Sequence, residues 1–166
     1  VKRKTTKFTI RPNPGKSFEI SVPIAIIFKN MLKYAKTTKE VKKILQDKEI
    51  LVDNKRVKDY KTLIGFMDTL SIPVAKEQYR VLIKKSKKLY LVPISEKEVG
   101  VKVCKVIGKS ILKKGKIQVN LFDGRNIIVK ENNFKISDSI LISLPNQKVE
   151  KILSFEKGAY VFMISG

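Results

Sequence analysis

The chain has 166 residues, 36 Lys and Arg against 15 Asp and Glu, a formal net charge of +21 and 43% apolar residues. That length allows one ordinary domain or two small ones, and the apolar content supports packed cores, which excludes a disordered basic tail. Histidine is absent and Cys104 is the single cysteine, which excludes an internal disulfide, a Cys/His zinc site and any nucleophile activated by histidine.

Charge of this size on a folded chain points to a polyanionic partner, either nucleic acid or an anionic membrane. Residues 1–18 hold six basic and no acidic side chains, 19–78 twelve and eight, 79–120 twelve and two, and 121–166 six and five. A membrane-binding segment would concentrate its charge beside an amphipathic or lipidated anchor. Here the charge spreads over several elements. The longest apolar run, Val22–Phe28, has seven residues and contains Pro23, far short of the roughly 20 that a spanning helix needs. No signal-peptide pattern opens the sequence, and an intracellular home is expected. The 31 lysines against five arginines suit phosphate and shape contacts better than base reading. Lysine-rich usage in the source genome explains them equally well.

A basic arm leads the chain, and Pro12, Pro14 and Gly15 bar a helix there. Ile24, Ile27, Phe28, Met31 and Leu32 then fall on one face of a short helix, with Pro23 in its first turn. Thr37 with Glu40 three residues on forms a capping box for a second helix, whose buried stripe is Val41, Ile44 and Leu45. Ile50-Leu51-Val52 and Lys55–Val57 read as strands joined by a two-residue turn at Asp53-Asn54. Leu70–Ile72 is a further strand, stopped by Pro73. From Tyr79 the pattern becomes short strands: Tyr79–Ile83, Leu89–Ile94, Val101–Ile107, Ile117–Phe122, Asn126–Val129, Ile140–Leu144, Val149–Leu153 and Tyr160–Ile164. Asp123-Gly124 is a strong hairpin signal, and the repetition suggests a small barrel. The boundary between the two regions is expected in the Pro73–Gln78 link.

On the second helix Lys39 and Lys43 are four residues apart, with Lys42 beside them and opposite the apolar stripe. A lysine face is usually only solvated. Here Lys36, Lys55, Arg56, Lys58 and Lys61 arrive from neighbouring elements, and convergence of cations favours phosphate contact because each neutralised phosphate releases counterions. Thr37 and Thr38 are capping residues first, although a helix N-terminus also offers N–H groups to phosphate. Gly108-Lys109-Ser110 lacks the first glycine of a phosphate loop, since Val103 stands at that position. The stretch reads instead as part of a basic hairpin. Lys84-Lys85 and Lys87-Lys88 read as a charged turn. Cys104 reads as a small packing residue, and the phenylalanines and tyrosines as core. Asp53, Asp59, Asp68 and Asp123 lie in turns, with no paired carboxylates on an apolar background to mark acid–base chemistry. No enzyme, cofactor or metal is expected.

The segment VPIAIIFKNMLKYAKTTKEVKKILQDKEILVDNKRVKDYKTLIGFMDTLSI resembles the S-four RNA-binding domain, in the form found in the S-four-e family of archaeal and eukaryotic small-subunit ribosomal proteins. The likeness continues through RKTTKFTIRP before it and YRVLI, LVPISEKE, KVCKVIGK, KKGKIQVNLFDGRNI and FEKGAYVFMISG after it. It implies an α+β fold: a basic arm over 1–18, a small S-four domain of two helices plus hairpin over 19–78, a central β-barrel-like domain over 79–150, and the start of a KOW-type β domain over 151–166. The sequence departs from the family at Asn54, where such hairpins often carry glycine, and at Phe122, where histidine is expected. The KOW motif only begins with Gly158 and Val161, so the sequence reads as a piece of a longer protein.

By this resemblance the RNA face comprises Lys29, Lys33, Thr38, Lys39, Lys42, Lys43, Lys55, Arg56, Lys58 and Lys61, with Lys29 and Lys33 resting on the family alone. The implied role is a non-catalytic, structural constituent of the small ribosomal subunit that binds ribosomal RNA through basic surfaces. Expected partners are small-subunit ribosomal RNA and neighbouring ribosomal proteins, in the cytoplasm, without membrane contact and as a monomer outside the ribosome. Two alternatives stand beside it: an RNA-modifying enzyme of the pseudouridine-synthase type, and a free RNA chaperone.

Overall fold

Among the described residues, every strand pairing is antiparallel. The computed structural model describes residues 9–84, 86, 88–129 and 133–164. Two five-stranded sheets, each beside its own apolar cluster, form the frame of the chain, with a separate two-stranded ladder beside them.

The first unit opens with β1 (Ser21–Pro23) and α1 (Ile24–Ile26), which runs into a π-helical turn, Ile27–Met31. The expected helix is therefore present, but its second half is widened: Leu32 N–H donates to Ile27 O at 2.9 Å, the i to i+5 spacing of a π turn. Lys33 adopts a left-handed conformation (φ 59°) and ends it, with Tyr34 N–H returning to Phe28 O at 2.9 Å. Helix α2 (Thr38–Asp47) starts as the sequence predicts: Thr37 Oγ1 accepts Glu40 N–H at 3.2 Å. Glu40 reaches back one residue further than in the usual box, accepting Lys36 N–H at 2.8 Å. Val41 and Leu45 are buried against Ile24, Ile27, Phe28, Ile50 and Ile64.

Strands β2 (Leu51–Val52) and β3 (Lys55–Arg56) form the expected hairpin. Asp53 and Asn54 both have positive φ, 51° and 59°, as a type I′ turn requires. After β4 (Leu63–Gly65), which pairs with β1, come β5 (Thr69–Ile72), β6 (Glu77–Ile83) and β7 (Leu89–Pro93). The sheet order is β3-β2-β5-β6-β7. The Pro73–Gln78 link, where the sequence reading puts a boundary, holds the β5–β6 turn of this one sheet.

A short helix α3 (Glu96–Val99), closed by a Ser95–Glu98 capping box, leads into the second unit. Its strands are β8 (Val101–Ile111), β9 (Ile117–Leu121), β10 (Asn126–Val129), β11 (Ser139–Ser143) and β12 (Lys148–Leu153), in the order β10-β9-β8-β11-β12. β8 is shared: Val101–Lys105 pair with β11, and Val106–Ile111 pair with β9. Between them Ile107 is an extra residue, since Val106 opposes Leu121 and Gly108 opposes Asn120. A bulge of this kind bends its strand, and the sheet curls into a half-barrel around Cys104, Val106, Val119, Leu121, Phe134, Ile140 and Ile142.

Two expectations are corrected. Tyr160–Ile164 is not a strand, because this tail finds no ladder partner to satisfy its backbone. The aromatic residues are also not all core: Phe18, Phe155 and Tyr160 are exposed on the arm and tail, outside both sheets. Cys104 is a buried packing residue, as predicted.

Candidate nucleic-acid interface and a buried charge cluster

At 3.6 residues per turn, Lys39, Lys42 and Lys43 fall within about 100° of one another on α2, opposite Val41 and Leu45. All three are exposed. One further cation, Lys61, joins this face from the chain that follows β3. Lys42 Nζ lies 4.7 Å from the centre of the Tyr60 ring and Lys61 Nζ lies 5.7 Å from it. Both are within the reach of a cation–π interaction. The ring itself is anchored in the first core, so it holds two mobile ammonium groups near one point. Asp59 fixes the turn below, accepting Lys61 N–H at 2.9 Å and the Asn13 side-chain amide at 2.6 Å. Those hydrogen bonds hold its carboxyl below the usual range.

Arg56 on β3 is exposed and donates to Gln46 O at 3.3 Å, near the C-terminal end of α2. The hairpin and the helix are thereby tied together. Lys55 and Lys58 flank Arg56, also exposed. Thr38 is half-buried as the first residue of α2, while Thr37 does the capping. Lys29 is half-buried on the π turn and Lys33 is exposed just past it. Among the described residues, no hydrogen bond or ring contact joins those two lysines to the others. The structure thus brings together Lys39, Lys42, Lys43, Arg56 and Lys61, with Lys55 and Lys58 alongside.

A second constellation was missed by sequence reasoning. Lys102 on β8 is fully buried and its Nζ lies 2.6 Å from Asp68, 2.9 Å from Asp123 and 3.0 Å from Asp53. Arg125 joins through Nε, 3.0 Å from Asp123, and through Nη2 to Asp53, and Lys16 of the arm pairs with Asp68. Three turns supply the carboxylates: β2–β3, β4–β5 and β9–β10. Each carboxylate also accepts a backbone N–H, from Thr69 to Asp53, Gly65 to Asp68 and Arg125 to Asp123. Burial pushes Asp53 and Asp123 toward the neutral form, but Lys102, these N–H groups and Arg125 outweigh it and hold both below the usual carboxylate range. Burial likewise disfavours charge on Lys102, and the three aspartates override it and raise its pKa.

Lys102 and Asp123 line a cavity beside Phe66 and Phe122, and each carboxylate of this cluster is paired with cations. The effect of the cluster is positional, because it joins turns of the first sheet to a strand and a turn of the second. Arg80 adds to the joint, donating to Glu98 O at 2.8 Å and Val101 O at 2.9 Å. Asn54 donates to Leu144 O at 3.4 Å across the same boundary. The one signal available in the sequence was Lys102 itself, a lysine on the alternate row of an apolar strand.

Comparison with known proteins agrees with this architecture. A family model described as "Ribosomal family S4e" matches residues 75–149, and the S4 domain model matches residues 30–70. Small ribosomal subunit protein eS4 of Methanocella arvoryzae is 38% identical over 100% of this chain and 70% of its own length. The eS4 protein of Methanococcus maripaludis is 40% identical over 99% of this chain and 70% of its own. The crystal structure of the 30S ribosomal protein S4e from Thermoplasma acidophilum superposes with a TM-score of 0.72 at 30% identity, covering 83% of this chain and 71% of that one. With identity at this level running along the whole chain and the same fold beneath it, the chain belongs to the S4e family of ribosomal proteins.

Proposed function

We propose that this chain is a non-catalytic constituent of the small ribosomal subunit and binds ribosomal RNA, with Lys39, Lys42, Lys43, Arg56 and Lys61 at the centre of the contact. The observation that carries the reading is the meeting of α2, the β2–β3 hairpin and Tyr60, which concentrates cations from three segments on one surface. Lys29, Lys33, Thr38, Lys55 and Lys58 extend that surface toward its edges. The proposed setting is the ribosome in the cytoplasm, beside other ribosomal proteins, with no membrane contact and a monomeric state when free. Family membership supports the assignment, since the relatives carry the name small ribosomal subunit protein. The chain divides, on this reading, into the arm, an S-four domain, a central β domain and a C-terminal β segment.

An RNA-modifying enzyme is not favoured. The aspartate of Asp123-Gly124-Arg125-Asn126 is paired with Lys102 at 2.9 Å and with Arg125 at 3.0 Å. Reversing Lys39, Lys42, Lys43 and Arg56 together to Glu tests the interface. If roughly six to ten phosphates are neutralised, wild-type affinity for small-subunit RNA fragments falls about 10³- to 10⁵-fold between about 50 and 200 mM salt. The reversed chain binds weakly with a flatter salt dependence. Equal binding by both proteins, or salt-independent affinity, would overturn the assignment.

A further inference from the structure

We propose that the tip of the β8–β9 hairpin is a second RNA contact, shaped to lie across the minor groove of an RNA duplex. This rests on the reading of the chain as an RNA-binding protein and adds a site on the other unit. Pairing of β8 with β11 ends at Lys105, yet β8 continues to Ile111 against β9 alone. Past Lys105 the ladder is β8-β9-β10, with Val129 opposite Ile117 and Ile117 opposite Ile111, and the turn 112–116 stands beyond it. At the end of the hairpin Leu112 N–H closes onto Lys116 O at 2.7 Å. Gly115 takes a left-handed φ of 69°, and nothing stands within 4 Å of where a β-carbon would be. The tip projects into solvent.

Its composition is unexplained by folding. Residues 108–116 contain four lysines and no acid. Lys113 and Lys116 are exposed, and among the described residues neither enters an ion pair. Between them and the sheet, Ile111 is 84% exposed. A lone exposed isoleucine is ordinary, but one set at the point of an acid-free, projecting hairpin offers an apolar contact flanked by phosphate ligands.

The chemistry around the tip selects the kind of RNA. No aromatic residue occurs between Tyr90 and Phe122, so the hairpin has no platform on which unpaired bases could stack. No arginine occurs between Arg80 and Arg125, so bidentate reading of base edges is missing as well. What remains is point charge for phosphates, a flat apolar group for ribose faces, and an uncharged polar row. That row, Ser110 opposite Gln118 and Asn120 opposite Asn126, lies on the face of the hairpin away from Ile111, so the tip presents apolar and polar groups on its two sides. Donors and acceptors of this type suit 2′-hydroxyls. A-form RNA presents phosphate, ribose and 2′-hydroxyl together in its wide, shallow minor groove, and a two-stranded tip about 5 Å between strands fits such a surface.

The test uses the full chain and two probes, a short RNA duplex of roughly 16 base pairs and a single strand of the same length. The K113E/K116E double variant is expected to lose at least about ten-fold in duplex affinity and to lower the log–log salt slope by about 2, with single-strand binding changed much less. Ile111→Asp shifts affinity the same way, and because the tip is exposed both variants keep the wild-type unfolding midpoint. Equal losses on duplex and single strand overturn the duplex assignment. Unchanged RNA affinity, together with lost incorporation into subunits, would make the tip a protein contact and also overturn it. A wild-type chain that binds neither RNA removes the parent reading, whereas RNA binding that survives the hairpin variants intact removes only this one.

Discussion

Lys102 Nζ lies 2.6 Å from Asp68 Oδ1, and neither side chain is reachable by solvent. The ammonium belongs to the second sheet and the carboxylate to a turn of the first, so the two units meet through a charge pair at a depth where apolar packing is usual. With Asp53, Asp123, Arg125 and Lys16 the cluster closes to electrical neutrality, three cations on three anions. Buried pairs of this kind add little net stability over apolar packing but are expensive to break from one side.

Replacing Lys102 with Met should therefore lower stability by about 3–5 kcal/mol, read as a shift of the urea unfolding midpoint. The K102M/D68N double variant should lose less than the two single changes added together, since each leaves the other's partner stranded. Strict additivity would mean that the two residues do not depend on one another.

Stability should also follow pH on two sides. Asp53 and Asp123 titrate below the ordinary carboxylate value when folded, so their contribution is present above about pH 4 and disappears as pH falls through the folded-state values. Lys102 titrates above its ordinary 10.5, so its contribution holds at neutral pH and is lost only as pH rises past that range. Thermal unfolding midpoints across pH should give a broad plateau with an acid limb. Asp123→Asn should lower the plateau and flatten that limb, and an acid limb identical to wild type would sink the assignment.

Cys104 is buried, with its sulfur 3.6 Å from Asp123 Oδ2. Burial and that carboxylate push the thiol up to about 12. A disulfide reagent at about pH 8 should leave the folded chain unmodified and react only as fast as the protein opens, because the thiolate is the reacting form. Rapid stoichiometric labelling under native conditions would contradict the buried geometry.

Tyr60 should matter to RNA through the two lysines it holds. Each cation–π contact at an exposed site is worth about 0.5–1 kcal/mol. Tyr60→Leu keeps the apolar packing and releases both ammonium groups, so RNA affinity should fall by up to roughly five- to thirty-fold, the two contacts taken together. Tyr60→Phe should retain wild-type affinity. Equal losses in the two variants would point to the hydroxyl instead.

Much of this molecule was legible from local rules. The Thr37 cap, the Asp53-Asn54 turn and the apolar row of α2 depend on neighbours a few residues away, and each appears where the pattern places it. The π turn was not legible, because an i to i+5 bond leaves the apolar spacing almost unchanged over five residues. Lys102 was not legible for a different reason. Valines stand at 101, 103 and 106, so alternation does not choose between the two rows of β8, and the buried row is Lys102, Cys104 and Val106. A lysine can occupy an inner position only if carboxylates from distant turns reach it, and 34 residues separate it from Asp68. The cations at Tyr60 were visible one by one, while their common anchor was not, since it needs the fold to bring Lys42 beside a ring 18 positions later.

The continuity of β5 into β6 bears on how the chain can be divided. The two family models part between residues 70 and 75, yet β5 and β6 pair from Thr69–Arg80 to Ile72–Glu77. A fragment stopping at Gln78 would bare one margin of β5, with Leu70 and Ile72 beside unpaired backbone groups, which is a template for aggregation. It would also strand Asp53 and Asp68 without Lys102. Ending the fragment after Pro93 keeps the ladder whole, but only a chain that reaches Lys102 also pairs those two aspartates. The unit that can be excised from this chain is thus longer than the unit that can be aligned.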